Sequence, residues 1–243
     1  HTRLLEKLTE EQEVVREKYR AGLQRQQYRR KRGELPESHI PTVLLDGAAG
    51  TGKTFLALHD LLLVLENGGR VLFVARNDSL AYFVGSWAYR RIRQTIGRSS
   101  DITALHQLHA LWIDREGEIK MRVCRFDKEK NEINFEKLPL PDMALPYDLI
   151  IVDEAHHTYF RDDKETALRG QIKNWSRGCK ERILLTDESQ SPEGHYSIEN
   201  FPLHEYFSLN VVVRSTQRIV VGAMVSVPVL ACVLCDCKLI STV

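Results

Sequence analysis

Gly47-Ala48-Ala49-Gly50-Thr51-Gly52-Lys53-Thr54 decides how this chain is read. The octet satisfies G-x-x-x-x-G-K-[ST] at every fixed position. Before it runs Pro41 to Asp46 (PTVLLD), a short, nearly continuous apolar stretch of the kind that forms a strand buried on both faces. After it comes a helical pattern through Leu56, Leu58, Leu61, Leu62 and Leu65 that stops at Asn67-Gly68-Gly69. A chance glycine turn would have no reason to sit between a strand and a helix, and this motif requires that context. Glycines let the backbone close around an anion without Cβ clashes. Successive N–H groups and the helix N-terminus then face it. The expected ligand is ATP with Mg²⁺, held by Gly47, Ala48, Ala49, Gly50, Thr51, Gly52, Lys53 and Thr54. Lys53 would reach the β- and γ-phosphates, and Thr54 would place its hydroxyl on the metal.

Working outward, the same alternation repeats. Val71 to Ala75 reads as a buried strand, Ser79 to Ile96 as a helix, and Asp101 to Leu105 as a third strand. Leu149 to Val152, Ile183 to Thr186 and Leu209 to Val213 are further strand candidates, with a helix over Lys164 to Trp175. Between Glu116 and Pro146 charges alternate with Ile119, Met121, Val123, Phe126, Ile133 and Phe135, which predicts a two-strand excursion inserted into the main fold. The fold class is therefore α/β, a parallel sheet with helices on both faces. Residues 3–32 read as a long charged helix with an apolar stripe at Leu4, Leu8, Val15, Tyr19 and Leu23. The expected organisation is an N-terminal helix and linker (1–40), an ATP-binding domain (41–221) and an apolar, Cys-rich tail (222–243).

The other half of a triphosphate site is an acidic residue at a strand end. Leu149-Ile150-Ile151-Val152-Asp153-Glu154 supplies one. Asp153 would hold Mg²⁺, and Glu154 would orient or deprotonate the attacking water. A solvated acidic turn is the bland alternative, made less economical by the loop upstream. No N-K-x-D segment is present, so adenine rather than guanine is the expected base.

Composition bounds the rest. With 34 Lys+Arg against 33 Asp+Glu the net charge is +1, so nucleic acid would have to bind through a local patch. Five cysteines, three of them among Cys232, Cys235 and Cys237, do not make a secreted disulfide framework. An intracellular setting, cytoplasmic or nuclear, is expected. The charge-free run near the end falls short of a membrane span of about 20 residues, so no stable membrane association is expected. The tail cysteines lack the fourth ligand of a structural zinc site.

At these residues the chain resembles superfamily 1 helicases, P-loop NTPases of the DExx-box type, with the Schlafen-type NTPases among the similar groups. Asp153-Glu154-Ala155-His156 is similar to the DExx box. Leu184 to Ser191 resembles the strand-loop that ends in a glutamine, here Gln190, and Asn210 to Gln217 resembles the motif that carries an arginine, here Arg214. The resemblance implies a RecA-like first domain over about residues 42–220. It also implies that Gln190 senses the γ-phosphate and that Arg214 stabilises charge on the transferred phosphoryl group. Leu8 to Gln12 is similar to the segment whose glutamine reads adenine, although Thr9-x-x-Gln12 is equally a helix capping box. Arg76, Asn77, Thr103 and His106 align with segments that touch single-stranded nucleic acid, DNA or RNA. For each, a loop or capping role is an equal alternative. Trp87 and Tyr82 would be stacking residues or, more commonly, core. Arg29 to Arg32 would bind nucleic acid, act as a nuclear signal or, more commonly, form a solvated helix end. The expected function is the ATP-hydrolysing motor domain of a nucleic-acid-dependent ATPase without its second RecA-like domain in this chain. The alternative is a non-translocating ATP switch or scaffold acting on a protein partner.

Overall fold

A computed structural model describes residues 8–96, 105, 107–127, 132–138, 145–160, 165–187 and 201–210. The elements run α1 (Glu10–Lys31), β1 (Thr42–Gly47), α2 (Lys53–Glu66), β2 (Val71–Val74), α3 (Asp78–Ile96), β3 (Leu108–Ile113), β4 (Ile119–Asp127), β5 (Glu132–Leu138), β6 (Leu149–Val152), α4 (Ala155–Phe160), α5 (Glu165–Trp175), β7 (Glu181–Thr186) and β8 (Glu205–Leu209). They build an eight-stranded sheet in the order β5-β4-β3-β2-β6-β7-β1-β8. From β3 to β8 every pairing is parallel, while β4 and β5 continue the sheet antiparallel.

The alternation of side chains along each strand divides the core in two. Val43 and Leu45 of β1, Val71 and Phe73 of β2, Ile151 of β6 and Ile183 and Leu185 of β7 face α1, α2 and α3. There they meet Tyr19, Leu23, Leu56, Leu61, Leu65, Val84 and Trp87. Leu44, Leu72, Val74, Ile150, Val152 and Leu184 point the other way, onto Tyr159, Leu168, Ile172 and Trp175 of α4 and α5. Both faces are covered, as the continuous apolar runs predict. Each leucine or isoleucine so enclosed contributes about 1.5–3 kcal/mol relative to exposure.

Two expectations need correction. The strand placed at Asp101 to Leu105 is instead Leu108–Ile113, and Leu105 lies in a helical turn before it. Residues 101–104 lie outside the described residues. Beside β1 the described strand is Glu205–Leu209, earlier than the one placed at Leu209 to Val213, because register with β1 pairs Val43 with Glu205 and Gly47 with Leu209; residues 211–213 lie outside the described residues. The expected two-strand excursion between Glu116 and Pro146 is present as β4 and β5, an antiparallel pair that joins the main sheet through β3.

The N-terminal helix begins at Thr9, whose side chain accepts from the Gln12 N–H while the Gln12 side chain accepts from the Thr9 N–H, a complete capping box. It is bound to the sheet domain through buried polar contacts. Asp60 of α2, fully buried, accepts from Arg16 at 2.7 and 3.0 Å and from the Tyr19 hydroxyl at 2.5 Å. Gln26 donates to the Thr42 carbonyl and accepts from the Thr42 N–H, both at 2.9 Å. The basic end of the helix behaves as a solvated terminus, with Arg29 and Arg32 paired to Glu34.

Candidate nucleotide site

Register brings the carboxyl ends of β1, β6 and β7 together. Asp46 lies beside Thr186, and Val152 beside Leu184. In open parallel sheets ligands bind outside this edge. The octet leaves β1 at Gly47 and enters α2 at Lys53. Gly50 and Gly52 hold φ of +86° and +84°, a left-handed backbone that side chains rarely adopt. This explains why glycine is needed at those two places. At Gly52 the requirement is doubled, because a Cβ would come within 2.3 Å of Gln12 Nε2.

Lys53 folds back over the loop. Its ammonium donates to the Gly47 carbonyl and, at 3.2 Å, to that of Ala48. Thr54 Oγ1 donates to Asp153 Oδ1 at 3.3 Å. The loop and the acidic strand end, 99 residues apart in sequence, thus share one site. These two adjacent oxygen donors would suit Mg²⁺, a hard cation that takes oxygen ligands.

Burial sets the electrostatics. Asp153 is enclosed and its pKa rises to about 6. Desolvation is the main cause, opposed by the Lys53 charge and the Thr54 hydroxyl. Glu154 rises further, to about 7, through desolvation and then the neighbouring Asp153 charge, with Lys53 and Arg76 pulling it back. A carboxyl poised there has the affinity a general base needs at neutral pH. Glu154 also has φ of +50°, unusual for a side-chain-bearing residue, at the tight turn from β6 into α4.

Around Glu154 stand groups not counted among the candidate site residues. His156 Nε2 lies 3.3 Å from Glu154 Oε2, and His156 Nδ1 lies 3.3 Å from Thr186 Oγ1. Burial lowers the His156 pKa to about 4. His157 stacks beside it, ring centroids 4.2 Å apart, and accepts a hydrogen bond at Nε2 from Arg76 Nη1. Asp187, buried, directly follows β7, and the Tyr206 hydroxyl donates to Asp46 Oδ2 at 3.0 Å. Asp187 follows an apolar strand just as Asp153 does, and that shared pattern is the signal that could have found it.

The remaining sequence candidates divide plainly. Gln12 Nε2 donates to the Thr51 carbonyl at 3.1 Å, so this residue both caps α1 and touches the phosphate loop. Arg76 is exposed on the loop after β2, near Glu154. Asn77 caps α3, accepting from the Leu80 N–H at 2.9 Å. Trp87 is core, packed edge-on against Phe55 and His59, whereas Tyr82 is exposed. Gln190, Arg214, Thr103, His106 and the tail cysteines Cys232, Cys235 and Cys237 lie outside the described residues. Among the described residues no helix is long and apolar enough to cross a membrane.

The model of the family described as type III restriction enzyme, res subunit (ResIII), matches residues 5–185. That is the greater part of the chain, and the chain belongs to this family. Among solved structures it is similar to the Pyrococcus furiosus Hef helicase domain, at 16% identity and a TM-score of 0.43. The likeness covers 86% of this chain, which spans 39% of the length of that one. No curated protein matches.

Proposed function

We propose that this member of the res-subunit family binds and hydrolyses ATP with Mg²⁺, as the first motor domain of a helicase-type, nucleic-acid-dependent ATPase. The observation that carries the reading is the 3.3 Å contact between Thr54 and Asp153, which joins the phosphate loop to the acidic strand end. In this proposal the Lys53 ammonium leaves the Gly47 and Ala48 carbonyls for the β- and γ-phosphates. The backbone N–H groups of Gly47 to Thr54 hold the remaining phosphate oxygens. Thr54 and Asp153 hold Mg²⁺, which supplies charge neutralisation on the phosphates when bound. Glu154 takes the proton of the attacking water. His156, neutral and within 3.3 Å of that carboxylate, keeps it oriented. Gln12 holds the loop from the α1 side.

Assignment to superfamily 1 is a finer proposal. It rests on the sequence around Gln190 and Arg214, and the family match does not support it. Single-stranded DNA or RNA is the proposed partner and an intracellular compartment the proposed setting, both from the family's class. The test is an ATPase assay with and without single-stranded DNA and RNA, on wild type and Glu154→Gln. Stimulated turnover in wild type, lost in Glu154→Gln with ATP binding retained, is the expected result. Turnover in Glu154→Gln equal to wild type would remove Glu154 from the role. ATP turnover that ignores both nucleic acids would favour the switch or scaffold reading.

A further inference from the structure

We propose that Glu154, His156 and His157 form a binding site for one zinc-class divalent cation, distinct from the Thr54–Asp153 pair and closed by the Arg76–His157 hydrogen bond. The three side chains lie on a single turn, and each offers a ligand atom within 4.8 Å of the other two. One edge already has the right size: His156 Nε2 and Glu154 Oε2 are 3.3 Å apart, against about 3.4 Å between donors on tetrahedral zinc. The other edges close through side-chain rotation of His157, which is only half-buried.

The donor set favours this class of metal over magnesium. Two imidazole nitrogens and one carboxylate oxygen, with a position left for water, are a common three-ligand zinc arrangement, whereas magnesium takes oxygens. A supporting contact is also present. Thr186 Oγ1 lies 3.3 Å from His156 Nδ1 and can accept its proton, which leaves Nε2 with a lone pair toward Glu154. Charges on neighbouring elements act in both directions. Asp187 and Asp46 favour a cation near His156, while Lys53 and Arg76 oppose it.

Arg76 is the competitor. A guanidinium only donates, so the His157 Nε2 lone pair that a metal would need is engaged by Arg76 Nη1. Metal binding and the Arg76 contact are mutually exclusive. Any ligand that draws Arg76 away would open the site, and an occupied site would hold the Glu154 carboxylate on the metal. That last consequence rests on the proposed function. The binding itself does not.

The test is calorimetric titration of Zn²⁺ alone into the full chain, without nucleotide, for wild type, His157→Asn and Arg76→Gln. Wild type should take one zinc at this site. His157→Asn should weaken that binding at least tenfold, and Arg76→Gln should tighten it several-fold. Equal affinity in wild type and His157→Asn would assign the metal to other donors, such as the tail cysteines, and overturn the proposal. Absence of zinc binding by Arg76→Gln would overturn it as well. A wild-type ATPase that zinc leaves untouched, in a chain that binds zinc as described, would instead count against Glu154 as the base.

Discussion

Replacing Glu154 with glutamine should stabilise the folded chain above pH 7 while it removes hydrolysis. Desolvation, then the adjacent Asp153 charge, hold the Glu154 carboxyl near 7 against an ordinary value of 4.5. Between those two values the folded state keeps a proton that the unfolded chain has released. Stability therefore falls as pH rises through this window, and the penalty is absent below the unfolded value. A gap of about 2.5 units at about 1.4 kcal/mol each gives a penalty of about 3 kcal/mol at pH 8. At pH 5 the same linkage leaves under about 1 kcal/mol. Glutamine keeps the shape and carries no charge, so the variant should gain about those amounts over wild type at each pH. His156 acts with the opposite sign. Its pKa falls to about 4, so its contribution is lost as pH drops from 6.5 toward that value. Wild type alone would mix the two trends, but both chains carry His156, so the difference between them isolates Glu154. Urea denaturation at pH 5, 6, 7 and 8 in the absence of divalent cations measures it. A difference that stays flat with pH, or a wild type more stable than the variant at pH 8, would refute the electrostatic account of the site.

Lys53→Ala should abolish measurable ATP binding in calorimetry, because it removes the cation that lies over the loop, and undiminished affinity would count against the cradle. Asp60→Ala should cost about 3 kcal/mol in urea denaturation, since it strips Arg16 and Tyr19 of a shared buried acceptor. A loss below about 1 kcal/mol would show that α1 is held by apolar packing instead. Gly52→Ala should be destabilising through the left-handed backbone, at about 1–2 kcal/mol, and through collision with Gln12. Adding Gln12→Ala should recover only the collision, and full recovery would mean that the backbone term was misjudged.

How much of this was legible before the structure depended on the range of the signal. The β1–loop–α2 unit could be read because its determinants are local: an apolar run, glycines where φ is positive, a leucine pattern, and a helix stop at Asn67-Gly68. β6 and Asp153-Glu154 were legible for the same reason. The bounds of β3 and β8 were not. β3 and β8 were displaced because short apolar stretches near Leu105 and Leu209 carry no marker of where pairing starts. Register with β2 and β1 decides that, and register is a tertiary property. The site was half legible. Its loop and its acids follow a spacing rule. The contacts that tune them, His156 to Glu154, Arg76 to His157 and Tyr206 to Asp46, join residues whose proximity only the strand order creates.

The same distinction explains the N-terminal helix. Its sequence reads as a charged helix with one apolar stripe, and Val15, Tyr19 and Leu23 of that stripe are buried. What the pattern hides is that four of its polar residues point inward with fixed partners. Arg16 and Tyr19 hold Asp60 of α2, Gln26 brackets Thr42 of β1, and Gln12 reaches the loop at Thr51. These contacts connect both ends of the phosphate-binding unit to one rigid helix. Buried polar groups that lose a partner incur about 1–3 kcal/mol each. Shifting α1 along its axis would therefore break several at once rather than slide smoothly. α1 thereby fixes the position of the Thr51–Gly52 turn relative to the strand that precedes it. Gln12 consequently affects nucleotide affinity through loop geometry even if its amide never meets the base. Gln12→Ala should then weaken ATP and GTP by similar factors in competition binding. A selective loss of ATP would instead place the Gln12 amide on adenine.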